Sequence, residues 1–487
     1  MTTLLSYIYN SALIQGDKVA DSNPSFDGSL EEYGDYARRS RRQINYHALN
    51  GVDIPAMLEA SVAGVIGSGV NIQCRTGNKN IDNAFEKLLK KHSEPEHFDI
   101  KKDDHRNEIL RHIQRFSSQN GGLLIRFRYS NRWEIPLKIE LIGIDMIDVT
   151  KDNYFTNTLN GLQKDEDGAI TGIWMYEDYK KTTSRLVSME DMIFYRRKWM
   201  SLSQYTATSK YATILPMLEK ALAYSQAELE MAIEKAKAGS YWHTELYDIV
   251  ADALQTELKK MTTEGKPLAI KMQMLDEVIK KIGSRGIQPR GLTAIPKEDQ
   301  ITKMDNKSDS QYTTFTNETQ KSMAAAVGSS QTSAYKDPSK SNYAGLQYTG
   351  ASDEESFKMD FDYMVNRFLE EYCKRLFRVG VQLKLIPITK ADYLKDPDEY
   401  HKFDILRQSK KVTDPDKKSK ANERNLKTGA DTLSSIYAEQ GRDFIEEKKK
   451  EIIAQLELEE WEKAEREKRS IPSKIEELTQ NNKGAQQ

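Results

Sequence analysis

Between residues 121 and 200 the hydrophobic pattern changes period, and that change limits the folds open to this chain. "GLLIRFRYS", "LKIELIGIDMIDVT", "ITGIWMYEDY" and "MIFYRR" read as strands, separated by turns such as Glu166-Asp167-Gly168. On both sides the period is helical. Before the block, "DIPAMLEASVAGVI" is an apolar helix with Asp53 as N-cap and Pro55 in its first turn. "VNIQCR" then reads as a strand, and 81–92 and 106–119 as amphipathic helices. After the block, Leu218, Leu222, Leu229 and Ile233 mark one face of a helix running from Pro216 to about Gly239. Tyr312, Phe315, Thr319, Met323 and Ala326 stripe a second helix over 307–327, and a third spans about 352–379. The C-terminal part is helical and heavily charged; "RDFIEEKKKEIIAQLELEEWEKAEREKRS" reads as one helix with opposite charges at i,i+4. Strands enclosed by long helices make an α+β chain.

The 487 residues leave room for more than one domain, but hydrophobic residues are only 38% and charged residues 30%. Such a large surface relative to core suits an elongated or helix-rich subunit. The net charge of -2 does not announce a nucleic-acid binder, so any such contact is local. The two cysteines, Cys74 and Cys373, have no metal or disulfide spacing and read as buried, reduced thiols. The N-terminus lacks the pattern of a signal peptide, and no stretch reaches the ~18 apolar residues of a membrane span. A soluble protein made in the cytoplasm is expected.

No phosphate loop, HExxH or GxSxG is present. "GVIGSG" (64–69) follows a helix and precedes a strand, the reverse of the order that aims amides at a pyrophosphate, so it reads as a helix C-cap. His92 with His97, and His105 with His112, lack the i,i+4 spacing of two ligands on one helical face and are expected to be exposed. "PDEYHK" (397–402) has the residue types of a metal nuclease without its strand context. Arg38, Arg39, Arg41 and Arg42 suit nucleic acid, a solvated face or a subunit contact equally. No catalytic residue, metal or cofactor is expected. One stretch stands out: in "AAAVGSSQTSAYKDPSKSNYAGLQ" (324–347) a helical run stops at Gly328, a polar segment with two lysines follows, and Tyr343 opens another helix. Connections of this length inside a domain are uncommon and usually functional.

Taken in order, these landmarks resemble the portal protein of tailed bacteriophages, in its lambda-type family. "RRSRRQINYHALN" with "VAGVIGSGVNIQ" is similar to the family's basic helix, apolar helix and glycine turn into a strand. "NGLQKDEDGAITGIWMYE" looks like its strand pair, and "LPMLEKALAYSQAELEMAIEKAKAG" like its helix closing on alanines and a glycine. "SNYAGLQ" resembles an Asn-Tyr-Ser-Ser-x-Arg signature, departing at Ala344-Gly345 and Gln347. "TDPDKKSKANERNLKTGADTLSSIYAEQGRDFIEE" is the closest stretch, and the resemblance runs from about 36 to 465.

The resemblance implies a non-enzymatic subunit of a twelve-fold ring at one capsid vertex, made in the bacterial cytoplasm and resident in the virion. Double-stranded DNA would pass through the ring, bound without sequence preference, during packaging and ejection. Terminase large subunit, head-tail adaptor, major capsid and scaffold proteins would be partners, and a membrane would not. The implied division is an N-terminal arm (1–49), an α+β wing (50–210), stem helix 1 (211–239), a clip (240–306) and stem helix 2 (307–327). A tunnel loop (328–345), a long wing helix and its return (346–399) and a helical crown and tail (400–487) complete it. Ser329, Ser330, Lys336, Lys340, Ser341 and Asn342 would face DNA, while Leu218, Leu222, Leu229, Tyr312, Phe315 and Met323 would pack the stem. A phage nuclease with an unseen site, or a scaffold without DNA contact, are the alternatives.

Overall fold

The computed structural model describes residues 30–199, 204–237, 241–243, 256, 293–295, 308–338, 342–407, 415–439 and 444–469. They fall into two units, one of residues up to 213 together with those from 324 onward, the other of residues 214–323. The clip assigned to 240–306 lies almost wholly outside the described residues, as do Lys340 and Ser341.

In the first unit α1 (Leu30–Asn50) precedes α2 (Asp53–Val65), β1 (Val70–Cys74), α3 (Lys79–His92) and α4 (Arg106–Asn120). The glycines of "GVIGSG" end α2 as a C-terminal turn, with Gly67 and Gly69 at φ of 55° and 146°. The strand block forms two sheets. β2 (Gly122–Arg128) is central in the order β3-β2-β8, between β3 (Lys138–Ile142) and β8 (Met192–Arg196), with both pairings antiparallel. A meander β4-β5-β6-β7 joins β4 (Thr158–Leu159), β5 (Leu162–Lys164), β6 (Ile170–Tyr176) and β7 (Ser184–Ser188). The fold is α+β, with long helices around small sheets.

In the second unit α5 (Leu215–Lys237) and α6 (Ser308–Ala326) pair, and β9 (Tyr241–His243) runs parallel to β10 (Thr293–Ile295). Tyr224 of α5 meets the rings of Tyr312 and Phe315 of α6 at 5.8 and 4.7 Å, and the Tyr312 hydroxyl donates to Ser225 Oγ at 3.2 Å.

The first unit resumes at residue 324, and a short helix, α7 (Gln331–Tyr335), follows in it. There α8 (Tyr343–Met364), a π-helical turn (Val365–Leu369) and α9 (Glu370–Gln382) form one continuous rod. Its buried side carries Phe357, Phe361, Met364, Phe368, Tyr372, Leu376 and Phe377 into a core shared with α3, α4 and β2. α2 crosses this rod closely at Gly64, where a Cβ would sit 2.3 Å from the Phe357 ring. After α10 (Lys390–Lys395), β11 (Phe403–Arg407) pairs antiparallel with β1, Val70 opposite Arg407 and Cys74 opposite Phe403.

The charged C-terminal helices are α11 (Pro415–Thr428), α12 (Leu433–Glu439) and α13 (Phe444–Arg469). In α13 Glu447 pairs with Lys450 and Lys448 with Glu451, each one turn apart at i,i+3.

Cys74 and Cys373 are both buried and unbridged. His92, expected at the surface, is fully buried. It continues the apolar stripe Ile81, Phe85, Leu88 and Leu89 of α3, so its position on the helix outweighs its polarity. Its Nε2 lies 2.8 Å from the Leu137 carbonyl, which can only accept, so Nε2 carries the proton. Nδ1 therefore accepts from the Tyr372 hydroxyl at 2.9 Å. Burial, its largest cause, lowers the His92 pKa to about 4. The unfolded chain, with an ordinary imidazole, binds this proton more readily as pH falls below about 6.5. The stabilisation is thus whole above that value and is lost progressively toward pH 4. By pH 5 the loss from this residue is about 2 kcal/mol. Urea unfolding at pH 7 and pH 5 should show it, and His92→Gln should flatten the difference between the two pH values.

Candidate nucleic-acid interface

The segment after α6 is built by two caps. Gly328, at φ 83°, takes the left-handed position that closes α6. Its N–H bonds the Ala325 carbonyl at 3.0 Å and the Ser329 N–H reaches back to Ala324 at 3.0 Å, the paired bonds of a Schellman ending. Ser330 is then the N-cap of α7, extended at φ -78° and ψ 157°, and its Oγ accepts the Ser333 N–H at 3.2 Å. Residues 328–335 thus form a capped helical turn.

Two carboxylates hold that turn. Asp353 of α8, only 4% exposed, accepts the Ser330 N–H at 2.7 Å and the Ser330 hydroxyl at 2.6 Å, and it also accepts the Ser333 hydroxyl. Asp53, at the start of α2, accepts the Tyr335 phenol at 2.9 Å. Burial, then the neighbouring Asp53 charge, pushes the Tyr335 pKa up, so the phenol keeps the proton that it donates.

This geometry sorts the residues expected to face DNA. Ser329 is buried, and the Ser330 polar atoms are engaged by Asp353 and Ser333. Lys336 ends α7 in the left-handed region at φ 56° and is exposed, followed by exposed Asp337 and Pro338. Asn342 stands apart at the start of α8, where its Oδ1 caps the helix by accepting the Gly345 N–H at 2.7 Å. The structure therefore gathers Ser329, Ser330 and Lys336 on one turn but aims only the lysine outward. Lys210 was missed from sequence: it is exposed, and a Cβ on Gly328 would come within 3.2 Å of its Nζ.

The residues expected to pack the stem divide as well. Leu218 and Met323 are buried and Tyr312 is partly so. Leu222, Leu229 and Phe315 are 42%, 60% and 40% exposed, alongside Met217 and Ile233.

A family model described as phage portal protein, lambda family, matches residues 16–359, well over half the chain. This chain belongs to the lambda family of phage portal proteins. Among solved structures, the portal chain is similar to one in the neck of the native GTA particle computed with C12 symmetry. The two are 12% identical, covering 85% of this chain and 92% of that chain, with a TM-score of 0.37. It is also similar to a chain from the virion of the native gene transfer agent particle, at 13% identity, 89% and 98% coverage and a TM-score of 0.38. No curated protein matches.

The basic helix of this portal chain is partly structural. Arg41 donates to the carbonyls of Asn120 and Ala207 at 3.3 and 3.1 Å, and burial lowers its pKa to about 10. Arg38 pairs with Asp35 and lies 3.5 Å from Asn160 Oδ1. Among the described residues no helix is long and apolar enough to cross a membrane, and no group of three or more His, Cys, Asp or Glu could hold a metal ion.

Proposed function

We propose that this portal chain assembles as a twelve-fold ring at one capsid vertex, through which double-stranded DNA is packaged and later ejected. The observation that carries this reading is the family match; the paired stem supports it. α5 and α6 stack Tyr224 against Tyr312 and Phe315 yet leave Leu222, Leu229 and Ile233 outward and Phe315 still 40% exposed, an apolar surface suited to a neighbouring copy. Terminase large subunit and a head-tail adaptor dock at the clip of such a ring, capsid and scaffold proteins at its periphery, and ATP hydrolysis belongs to the separate motor. Electron microscopy of the purified protein tests the reading. Rings with an open bore support it; monomers alone, or DNA cleavage dependent on a divalent metal, overturn it.

In this ring Lys336, with Lys340, faces the DNA. B-DNA carries one charge per about 1.7 Å of axis, so a strongly basic collar would hold it, whereas a conduit needs sparse contacts. Lys336→Ala with Lys340→Ala should leave rings intact, since Lys336 is exposed. DNA retention should weaken and depend less on salt. Assembly and retention measured side by side across a salt series check this; retention equal to wild type at every salt would leave the lysines without a role.

A further inference from the structure

We infer that Asp353 and Asp53 form a two-point clasp that makes the turn from Ser330 to Lys336 a rigid arm, positioned by α8 at one end and by α2 at the other. The clasp acts whether or not DNA contacts Lys336.

The geometry is specific. A carboxylate accepts but does not donate, and Asp353 takes all three of its hydrogen bonds from this one segment, at Ser330 N, Ser330 Oγ and Ser333 Oγ. Bonds to an ionised acceptor are roughly twice as strong as neutral ones, and a buried carboxylate deprived of them carries a large desolvation cost. The arm therefore cannot lift from α8 without uncovering Asp353. At its far end the Tyr335 phenol is tied to Asp53, and between the two points Ala334 is buried. The five residues of α7 are too few for a helix stable by itself, so the turn needs outside partners. The clasp supplies them at both ends, and Lys336 follows directly on the second. Lys336 thereby keeps a fixed position relative to α2 and α8, where a free loop would sweep a volume.

Amide hydrogen exchange of the full-length protein, read by mass spectrometry over 328–338, tests this. Wild type should exchange at least tenfold more slowly than an unstructured peptide of the same sequence. Asp353→Ala should remove that protection, and Ser330→Ala should reduce it several-fold. Tyr335→Phe, which keeps the ring and loses only the bond to Asp53, should speed exchange at the Tyr335 end alone. Protection of α4 (Arg106–Asn120) reports that each variant is folded; if Asp353→Ala loses it, Ser330→Ala and Tyr335→Phe decide. Exchange in wild type at the unstructured rate overturns the clasp. So does unchanged protection in the folded variants.

Discussion

Gly121→Ala should cost this protein more than about 3 kcal/mol of stability, or abolish its soluble expression. Gly121 closes α4 at φ 81° and ψ -6°, and the left-handed region costs an L-residue about 1 kcal/mol by itself. Space adds the rest. A Cβ there would fall 2.2 Å from the Thr208 carbonyl carbon and 2.5 Å from the Ser209 nitrogen. These are backbone atoms with little room to yield. Ser209 Oγ donates to the Ser118 carbonyl at 2.6 Å, Trp199 donates to Thr208 at 2.6 Å, and Arg41 holds Ala207 at 3.1 Å. Gly77 separates conformation from clash. It has a φ of 87°, and a Cβ there would meet nothing within 4 Å, so Gly77→Ala should show only the conformational cost, about 1 kcal/mol. Urea unfolding of the two variants measures the difference. Equal losses would mean that the 208–209 backbone moves aside freely.

The elements whose signals are local were legible in the sequence. The change of period at 121 and its return after 200 gave the α+β class, because alternation and helical spacing follow directly from backbone geometry. Gly328 could be read as a helix end, since a left-handed cap is what glycine provides. What stayed hidden depends on partners distant in the chain. "FDILR" is a plausible strand, but nothing local says that it pairs with β1. Asp353 looks like any carboxylate on a charged helix until α7 is laid against it, and so the clasp was invisible. His92 was within reach: three and four residues beyond Leu89 and Leu88, it falls on the buried stripe of α3. Judging it by polarity instead of helical position placed it at the surface. The match of the family model ends at 359, inside α8, whereas the resemblance in the C-terminal helices was carried by "TDPDKKSKANERNLKTGADTLSSIYAEQGRDFIEE".

Leu229→Asp should abolish ring assembly while leaving the protomer folded. The leucines of α5 share a helix but not an environment. Leu218 is 2% exposed, so an aspartate there would bury an unpaired charge, and Leu218→Asp should simply unfold the protein. Leu229 is 60% exposed and Leu222 is 42% exposed in the isolated chain, and substitutions at such surface positions usually change stability by under about 0.5 kcal/mol. In a closed ring the same heterologous contact recurs at every subunit boundary. One aspartate per chain would then place a desolvated charge in every interface, and no arrangement of the ring avoids it. Leu222→Asp, with more of its side chain already covered within the protomer, should block assembly too but with some loss of stability. Analytical ultracentrifugation gives the oligomeric state and urea unfolding the protomer stability, measured on the same preparations. Rings of normal size from a folded Leu229→Asp protein would remove this face of α5 from the subunit interface, and the contact would then have to be sought on the Phe315 side of α6.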